Sequence, residues 1–577
     1  MKKEPIIFIL ATLLLSSCLG ENNQSTYFSS DDYSNPGTQT LVPDTSEETS
    51  DNTRSSASNS TTKSESSIFS SSISSIEPED LTMKPIAFPK ARTLSSSELA
   101  TYIGSDIQND DGWVNVAHDD GLIVSPYHRV KHNGAYAPVY ATRTTYGAHS
   151  FALFEGGIDE FPLVVSISSR ENSSFKNAKV LPNENVSQAV SSGAITLTIS
   201  KPGNYTVIPD SNYEKPITIF AYEKTQFIQP DGYSTIELEP GDHGELIIST
   251  QKTTLVFKKG LHRVGRLELN SNCLVYFESG AQLEAQNPTI ESETPILNPD
   301  WAGMLRYKAF INGYALNNVK IHGHGYIDLS KLDWHARLGM YLEKCINIDL
   351  DGFIMSNSPE WTLEFMACSQ GKINECGIFG YRQNSDGYAI CDSDHIEVTS
   401  CFARSGDDLF EVKTMDGNLN NNVGNITFSS CVGWPDKCRG FGIIHETQRN
   451  ITTVKYEDIT VISAPADWMD ALGALVVIVA GNAKISDVVF ENVNINSCSF
   501  YPINVTLSSS STSGVIDNIT FKNISIPNSN KIRLLNESSG SVGNIHFSSI
   551  RRNGTLVSNT LALGLNKSGS IGNITLE

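Results

Sequence analysis

The clearest pattern in the chain is a short apolar motif that recurs through its second half. Each copy centres on an Ile or Val with polar neighbours, and successive copies lie 23 to 34 residues apart. The copies are rich in Val, Ile, Phe and Thr, are punctuated by Gly and Asn, and show no helical period. Repeats of this length are typical of a solenoid, so the sequence predicts a parallel β-helix. The central residues of the motif are Ile321, Ile348, Ile373, Ile396, Ile426, Val454, Val488, Ile519, Ile545 and Ile574.

A different pattern precedes the repeat. Short alternating runs, such as Leu163–Ile167 and Ala194–Ile199, are separated by turn residues such as Lys201-Pro202-Gly203-Asn204. This alternation is typical of antiparallel strands in a β-sandwich. We therefore predict an all-β protein with a small β-sandwich domain at 85–245 and a parallel β-helix, the catalytic domain, at 246–577. No catalytic combination of side chains stands out in the sandwich, which we interpret as a packing module.

The N-terminal residues predict export. Met1-Lys2-Lys3 is a short basic region, and Ile6–Leu15 is an apolar run too short to span a bilayer. Leu15-Ser16-Ser17-Cys18 is similar to a bacterial lipobox, which makes 1–17 a lipoprotein signal peptide and Cys18 the lipidated residue. The alternative is an ordinary signal peptide with a chance Cys. Residues 18–84 are Ser/Thr-rich with few aromatics and predict a disordered tether. We expect a lipid-anchored protein of the bacterial cell envelope.

Net charge and cysteine content exclude several kinds of partner. The formal net charge is −22 and the pI is about 5.0, which argues against nucleic acid or an anionic membrane surface as a partner. Besides Cys18 there are nine cysteines, an odd number, with no CxxC pair or Cys/His cluster at zinc spacing. We therefore predict no metal and no cofactor. Cys401 and Cys431 either stack as small core residues or form a disulfide.

Three carboxylates occupy related positions in the repeat. Asp386 follows its motif's Ile373 by 13 residues, and Asp407 and Asp408 follow Ile396 by 11 and 12. Because equivalent positions in a β-helix stack about 4.8 Å apart, the three acids should meet on neighbouring coils. Close like charges repel, so at least one carboxyl should retain its proton, as a general acid beside a general base requires. The alternative is that these acids only cap Asn- and Gly-rich bends.

The motifs around these acids resemble those of known β-helix enzymes. Asn384-Ser385-Asp386 and Gly406-Asp407-Asp408 are similar to the Asn-x-Asp and Gly-Asp-Asp motifs of glycoside hydrolase family 28, which is polygalacturonase-like, and of the related dextranase-like family 49. The resemblance spans roughly 250–550. It implies a right-handed β-helix and an inverting hydrolase of α-linked polysaccharide. It also implies that Asp407 is the general acid, while Asp386 and Asp408 activate water.

Two departures from the polygalacturonase pattern bear on the substrate. The Gly-His-Gly turn corresponds here to Gly440-Phe441-Gly442, and the Arg-x-Lys motif that grips a uronate carboxylate is not visible downstream. A uronate in a partly desolvated cleft needs basic partners, and only Lys413, Arg439 and Arg382 are candidates. We therefore expect a neutral or partly uronic chain that is dextran-like, or pectin-like if those three side chains converge on the groove.

Further candidates surround the acids. Trp361 lies 13 residues after Ile348 and either stacks a sugar ring or is a core aromatic. Lys413 reaches either the groove or solvent, and Arg439 either contacts substrate hydroxyls or pairs with an acid. The residues that we predict to bind substrate are Trp361, Asn384, Lys413, Arg439, His445 and Glu446.

The sequence leaves two rival functions open. A polysaccharide lyase on the same fold needs a base to abstract a proton, usually beside a cation that neutralises a uronate, so the Asp-rich centre favours hydrolysis. A non-catalytic carbohydrate-binding solenoid at the cell surface has no need for three stacked acids. Under all three hypotheses (hydrolase, lyase and binding solenoid) the partner is a polysaccharide, and we expect a monomer.

Overall fold

The computed structural model describes residues 80–103, 113, 115–117, 121–171, 173–288, 296–297, 305–415, 423–527 and 530–577. The predicted signal peptide, Cys18 and the tether up to residue 79 lie outside the described residues. At the end of the predicted tether, Lys84–Pro85 already pairs with a strand of the sandwich. None of the helices in the described part of the chain is long and apolar enough to cross a membrane.

The predicted fold class is confirmed: an all-β chain forms a β-sandwich followed by a right-handed parallel β-helix. One sandwich sheet has the order β2-β5-β6-β12-β11-β8 with β1 on β6, and the other has the order β4-β3-β7-β10-β9. The helix α1 spans Ser96–Ile103. The sandwich strands are β1 (Lys84–Pro85), β2 (Leu122–Val124), β3 (His128–His132), β4 (Ala135–Ala137), β5 (Tyr140–Thr144), β6 (Gly147–Gly156), β7 (Leu163–Ser169), β8 (Ala178–Leu181), β9 (Val186–Ser191), β10 (Ala194–Ile199), β11 (Gly203–Pro209) and β12 (Ile217–Glu223).

The β-helix begins earlier than the predicted boundary at 246. Its first strand, Ser234–Leu238, pairs in parallel with Thr253–Phe257 of the next coil. The sequence hid this strand because its residues are mostly exposed at the end of the solenoid. The strands up to the middle of the helix are β13 (Ser234–Leu238), β14 (Gly241–Ile247), β15 (Thr253–Phe257), β16 (Gly260–Glu268), β17 (Cys273–Phe277), β18 (Ala281–Ala285), β19 (Ile296–Leu297), β20 (Leu305–Arg306), β21 (Ile311–Tyr314), β22 (Asn317–His322), β23 (Tyr326–Asp328), β24 (Met340–Glu343), β25 (Ile346–Asp351), β26 (Ile354–Ser356), β27 (Leu363–Met366), β28 (Ser369–Asn374), β29 (Gly377–Phe379) and β30 (Tyr388–Cys391).

The remaining coils continue the same sheet to the last residues of the chain, and only β19 and β20 form a separate hairpin among the described strands after β12. The later strands are β31 (Asp394–Thr399), β32 (Phe402–Ser405), β33 (Phe410–Thr414), β34 (Val423–Ser429), β35 (Val432–Pro435), β36 (Phe441–Thr447), β37 (Ile451–Val461), β38 (Leu475–Val479), β39 (Lys484–Ile495), β40 (Ile503–Leu507), β41 (Val515–Ile526), β42 (Ile532–Asn536), β43 (Ser541–Val542), β44 (Ile545–Ser548), β45 (Arg551–Arg552), β46 (Thr555–Leu556), β47 (Leu565–Ser568) and β48 (Ile574–Leu576).

The register corrects two of the ten predicted repeat positions. Val319 pairs with Ile348 and Gly371 pairs with Ile396, so Ile321 and Ile373 lie two residues beyond the column that the other eight share. Both positions face the core, because side chains on a strand alternate with a period of two. An apolar pattern alone therefore does not choose between them. From Ile396 to Ile574 the predicted central residues pair directly with one another.

Stacked apolar side chains fill the helix and cover its cysteines. Phe428, Tyr456, Phe490 and Phe521 stack on successive coils with ring centroids 4.7, 4.8 and 5.1 Å apart. The nine described cysteines are free and buried. Cys401 and Cys431 are therefore stacked core residues, the first of the two alternatives left open by the sequence.

The sandwich packs its seven-stranded sheet directly on the β-helix. Phe151 and Phe220 lie in one buried cluster with Phe379 and Phe402, and the Phe151–Phe379 and Phe220–Phe402 ring centroids are 5.5 and 5.6 Å apart. Aromatic side chains of this size contribute strongly to an interface. Although the sandwich has a core of its own, it is joined to the coils that carry the predicted acids.

Candidate active site

The register gathers the three predicted acids at one place. Leu363, Tyr388, Phe410 and Phe441 begin four paired strands, β27, β30, β33 and β36. The residues two positions before these strands therefore occupy equivalent places on four successive coils. In order along the β-helix they are Trp361, Asp386, Asp408 and Arg439.

The carboxylates are close together and buried. Asp386 and Asp408 have oxygens within 4.8 Å of each other, and so do Asp407 and Asp408. The backbone joins the two turns, because the Gly387 N–H donates to the Asp408 carbonyl at 2.8 Å. The stacking of coils thus brings together side chains that are 22 residues apart in sequence, as the repeat predicted.

The three acids differ in the hydrogen bonds that they accept. Asp407 accepts the backbone N–H groups of Asn384 and Asp408 at 2.9 and 3.0 Å. Asp408 accepts the backbone N–H of Arg439 at 3.0 Å and its guanidinium Nη1 at 2.9 Å. Asp386 Oδ2 accepts from the Lys413 ammonium at 3.4 Å, and its buried Oδ1 has no hydrogen-bond partner among the described residues.

Lys413 is a cation shared by four carboxylates of the site. Its Nζ lies 3.4 Å from Asp386, 2.9 Å from Glu411, 3.4 Å from Glu446 and 3.9 Å from Asp408. Burial alone would lower the pKa of Lys413, but these carboxylates together raise it well above its usual value. A buried ammonium surrounded by acids compensates their charge, so we assign Lys413 to that role rather than to direct contact with substrate.

The environment raises the pKa of two of the three acids. Burial raises the pKa of Asp386 well above its usual value, and the charges of Asp407 and Glu411 add to this while Lys413 opposes it. Burial and the Asp408 charge also raise the pKa of Asp407, against the lowering effect of its backbone donor and of the Cys438 thiol. The acid–base pair stays a prediction, and a raised pKa on one carboxyl beside another is what such a pair requires.

Glu411 is a fourth acid that the sequence reasoning missed. It is fully buried on the strand after the Asp pair, within 4.8 Å of oxygens of Asp386 and Asp408. Burial raises its pKa to about 8, with Asp408 adding to the shift and Lys413 opposing it. The signal was available in the sequence: Phe410 and Val412 point into the core, so Glu411 and Lys413 must point out beside the acids.

The raised pKa of Glu411 should make stability depend on pH. Between about pH 4.5 and pH 8 the unfolded chain has released this proton while the folded protein retains it. The free energy of unfolding should therefore fall as pH rises, by up to about 1.4 kcal/mol per pH unit. Glu411→Gln should make this slope shallower in urea unfolding measured from pH 5 to 8. Glu397→Gln, at an exposed site on a neighbouring coil, is the control and should leave the slope unchanged. An unchanged slope in Glu411→Gln would show that Glu411 is ionised in the folded protein.

The basic residues near the acids are already engaged. Arg439 pairs with Asp408, which is the second of the two alternatives that the sequence left open for it. Arg382 is fully buried and donates to the backbone carbonyls of Leu332 and Ser330 at 2.6 and 2.7 Å. Phe441, aligned in the sequence with a catalytic-turn His, is a core residue stacked 4.5 Å from Phe410. The side chains of that turn that reach the acids are Cys438 and Arg439.

The other predicted binding residues border the acids. The Trp361 ring carries the Lys413 ammonium at 4.3 Å on one face, so only its other face is left for a sugar. Asn384 has a positive φ of 60°, and its buried Oδ1 has no hydrogen-bond partner in the part of the chain that the structure describes. His445 Nδ1 lies 3.3 Å from Glu446, whose side chain is 31% exposed. Burial opposes the ionisation of Glu446, but Lys413 and His445 outweigh it and lower its pKa.

The sequence reasoning also missed aromatic side chains from other turns. The Trp334 Nε1 donates to the Gln383 carbonyl at 3.0 Å, and the Trp468 Nε1 donates to the Lys437 carbonyl at 2.8 Å. Each indole therefore touches a turn that carries part of the acid centre. Trp468 is 48% exposed, which leaves much of its ring available to a ligand. Neither residue belongs to a motif, so only the fold brings them to the site.

Ligand-type side chains form two groups in this centre among the described residues. One is Asp386, Asp408 and Glu411, and the other is Asp407, Asp408 and Cys438. Lys413 already lies between the members of the first group, and Arg439 already neutralises Asp408, which both groups share. Because protein cations occupy these positions, we assign no metal here, and the absence of a metal stays a prediction.

No model of a known protein family matches the sequence, and no curated protein matches it. Its fold is similar to that of solved β-helix enzymes. A family 28 exopolygalacturonase from Yersinia enterocolitica is 14% identical over 79% of this chain and 97% of its own, with a TM-score of 0.39. The catalytic domain of a GH87 α-1,3-glucanase in complex with nigerose is 11% identical over 79% and 88%, with a TM-score of 0.40. A polygalacturonase from Erwinia carotovora is 15% identical over 60% and 100%, with a TM-score of 0.36. We infer function below from the side chains of the site rather than from these similarities.

Proposed function

We propose that the protein is a glycoside hydrolase that cleaves an α-linked polysaccharide by inversion. The observation that carries the proposal is the meeting of Asp386, Asp407 and Asp408 on adjacent coils, with the pKa values of Asp386 and Asp407 raised and Asp408 bound by Arg439. Glycoside hydrolysis needs one carboxylic acid to protonate the leaving oxygen and one carboxylate to activate water. This cluster supplies both.

We assign Asp407 as the general acid, following the Gly-Asp-Asp motif, and Asp386 with Asp408 as the groups that hold and deprotonate water. Neighbouring pairs of these acids approach within 4.8 Å, which is closer than the roughly 6.5–9.5 Å between acid and base in most inverting enzymes. The inverting assignment therefore rests on the motif resemblance and not on this spacing. Proton NMR of fresh product should show the anomer opposite to the substrate linkage, and a retained configuration would refute the inverting mechanism.

A neutral glycan fits this centre better than a polyuronate. Lys413 and Arg439 are bound to the acids of the site, and Arg382 is bound to backbone carbonyls. A pectin-like substrate was expected only if these three basic side chains converged on the groove. Their contacts do not meet that condition. A uronate entering beside five carboxyl groups would lose hydration, and these three cations are already bound to other groups. We propose a neutral, dextran-like α-glycan.

The test is a screen of the full chain against dextran, other neutral α-glycans and polygalacturonate, with sizing of the products. Release of sugars from a neutral chain supports the proposal. Strong hydrolysis of de-esterified polygalacturonate would refute the neutral-substrate assignment while leaving the hydrolase assignment in place. An unsaturated product that absorbs in the ultraviolet would instead identify a lyase. Binding without any product would identify a carbohydrate-binding solenoid.

Trp468 should bind the sugar chain beside the acid centre. Its exposed indole is anchored to the turn that carries Cys438 and Arg439, and the apolar face of a sugar ring packs well on such a surface. Burying this face contributes on the order of 1–2 kcal/mol. Trp468→Ala should therefore raise KM about 5- to 30-fold with little change in kcat. Trp468→Phe should retain most of the affinity, and Tyr136→Ala, at an exposed aromatic of the sandwich, should have no effect. A loss confined to kcat would contradict a binding role.

We also propose that the protein is exported and anchored to the cell envelope through a lipid on Cys18, as a monomer. The basic Met1-Lys2-Lys3, the apolar Ile6–Leu15 and the lipobox-like Leu15-Ser16-Ser17-Cys18 support the anchor. Membrane fractionation of the full chain and of Cys18→Ser tests it, because the variant should leave the membrane fraction. Light scattering of the soluble part tests the monomer.

A further inference from the structure

Three turns of the β-helix carry the acid centre: 381–386, 405–408 and 436–439. They hold Asp386, the Asp407–Asp408 pair, and Arg439 with Cys438. The coils position these turns from one side through the β-strands that follow them. On the other side, all three turns contact residues that come before the β-helix in sequence.

Trp113 is a buried aromatic among these contacts. It lies in one apolar cluster with Cys438 and Leu472, and the Lys437 ammonium lies 4.1 Å from its ring centroid. It also presses on Gly406, the residue before Asp407: a Cβ added to Gly406 would come within 2.8 Å of the indole. Trp113 therefore touches the turn that bears the Asp pair and the turn that bears Cys438.

The residues after Trp113 hold the remaining turn. The Asn115 Oδ1 accepts the backbone N–H of Gln383 at 3.1 Å, and the Tyr381 hydroxyl donates to the Val116 carbonyl at 2.8 Å. Gln383 and Tyr381 flank Arg382 in the turn that leads into Asn384 and Asp386. These bonds fix the backbone of that turn on the side away from the coils.

The sandwich adds contacts of its own. Thr145 Oγ1 donates to the Tyr381 carbonyl at 3.5 Å and lies against Gly406. The Arg404 guanidinium, which leads into the Asp-pair turn, donates to His149 Nδ1 at 3.1 Å and pairs with Asp436 at 3.1 Å. Burial lowers the pKa of His149 well below its usual value, which keeps the ring neutral and Nδ1 free to accept.

We propose that the residues ahead of the β-helix that touch these turns (Trp113, Asn115, Val116 and Thr145), which we call the N-terminal clamp, position the acid centre, with Trp113 as the positioning residue for Asp407. This inference rests on the proposed function for its kinetic consequences, but not for its structural ones. The clamp gives the N-terminal domain a part in catalysis. The sequence did not indicate this, because the β-sandwich was interpreted only as a packing module.

The physical basis is the packing around Asp407. Trp113 excludes water from the Gly406–Asp407 turn and from Cys438, whose thiol bonds to the Asp407 carboxylate. Removing the indole opens that side to solvent and weakens the burial that raises the pKa of Asp407. A general acid acts only while protonated, so activity is lost as pH rises through its pKa, and the falling limb should move to lower pH. The ionisable groups that face Asp407 are Asp386, Asp408, Arg439 and the Cys438 thiol.

The structural test needs no substrate. Hydrogen exchange by mass spectrometry on the full chain, comparing wild type with Trp113→Ala, should show faster exchange in 381–387 and 405–409. Exchange in Val515–Ile526 of the closing coils should not change. Phe154→Leu, a substitution in the sandwich core away from the β-helix, is the control for general destabilisation and should leave both acid turns unchanged. Equal exchange in Trp113→Ala and wild type at the acid turns would overturn the proposal.

The kinetic test uses the substrate found by the screen. Trp113→Ala should lower kcat about 10- to 100-fold with KM nearly unchanged, as expected for a small displacement of catalytic groups. The high-pH limb of kcat/KM should move down by about one unit, and Trp113→Phe should restore most of both. A fall in kcat with an unmoved pH limb, or the same limb shift in Phe154→Leu, would reduce Trp113 to a structural residue.

If Trp113→Ala does not fold, Asn115→Ala removes a single acceptor and serves the same purpose. It should speed exchange in 381–387 alone and leave 405–409 protected. If wild type cleaves no glycan but the exchange results hold, the clamp stands and the proposed function fails. If wild type is active and neither variant alters exchange, the clamp fails and the proposed function stands.

Discussion

Asp407→Asn should lower turnover on the polysaccharide by about 10²–10⁴-fold, because an amide does not supply the proton that the leaving oxygen needs. The fold should survive, since Asn is isosteric and its side-chain oxygen still accepts one of the two backbone bonds that Asp407 accepts. Circular dichroism and thermal unfolding check the fold, and initial rates of reducing-end release check turnover. A variant within threefold of wild type would remove Asp407 from the mechanism.

A matched pair of substrates decides which acid donates the proton. An aryl glycoside of the same sugar with a good leaving group needs little protonation, so Asp407→Asn should lose far less activity on it than on the polysaccharide. Asp386→Asn should lose the same factor on both substrates, because activation of water is needed in each case. This control matters, since burial favours a proton on Asp386 even more clearly than on Asp407. Rescue of Asp386→Asn by the aryl glycoside would exchange the two roles.

Lys413→Met should be the most destabilising single change at the site. It leaves Asp386 and Glu411 buried without their cation, and breaking a buried ion pair from one side typically costs about 3–5 kcal/mol. Urea unfolding at pH 9, above the pKa of about 8 of Glu411 in the folded protein, measures the loss with Glu411 ionised. Lys372→Met is the matched control, because its partner Glu397 and Lys372 itself are exposed, and an exposed pair contributes little.

A double variant separates charge from packing in that loss. If Lys413 acts by neutralising Glu411, then adding Glu411→Gln to Lys413→Met should recover part of the lost stability, with a coupling of about 0.5–3 kcal/mol. Purely additive losses would mean that the aliphatic stem of Lys413 and its contact with Trp361, rather than its charge, stabilise the site. Either single variant measured alone leaves these two explanations mixed.

Much of the candidate site followed from counting along the repeat. Asp386, Asp408 and Arg439 do occupy equivalent places on successive coils, although two of the counted repeat positions were in error by two residues. Those errors did not change the predicted position of the acids. The turns differ in length, and it is the first residues of the strands after the turns, not the central residues of the repeat, that align from coil to coil. Counting along the repeat located these aligned residues but not the side chains that surround them. Glu411 was overlooked, although the sequence shows it next to the core residue Val412 on the same strand and therefore facing the other way.

The roles of the basic residues were the part least accessible to sequence reasoning. Lys413 and Arg439 were read as groups that meet substrate, yet both are bound by carboxylates of the site. Whether a cation pairs with an acid or with a ligand depends on distances of a few ångströms between coils. Such distances follow from the packing of whole turns, which a repeat with intervals of variable length does not specify.

The sequence by itself determined the fold class and the place of the acids on neighbouring coils. These follow from local periodicity, because a period of two on strands and a recurring apolar motif leave few alternatives to a β-helix. The tertiary structure alone decided how the sandwich meets the helix. Trp113, Thr145 and His149 reach the acid turns from residues more than 200 positions earlier, through contacts that no repeat or motif encodes. Burial raises the pKa values of Asp386 and Asp407, and burial is a property of the assembled molecule rather than of any segment of its chain.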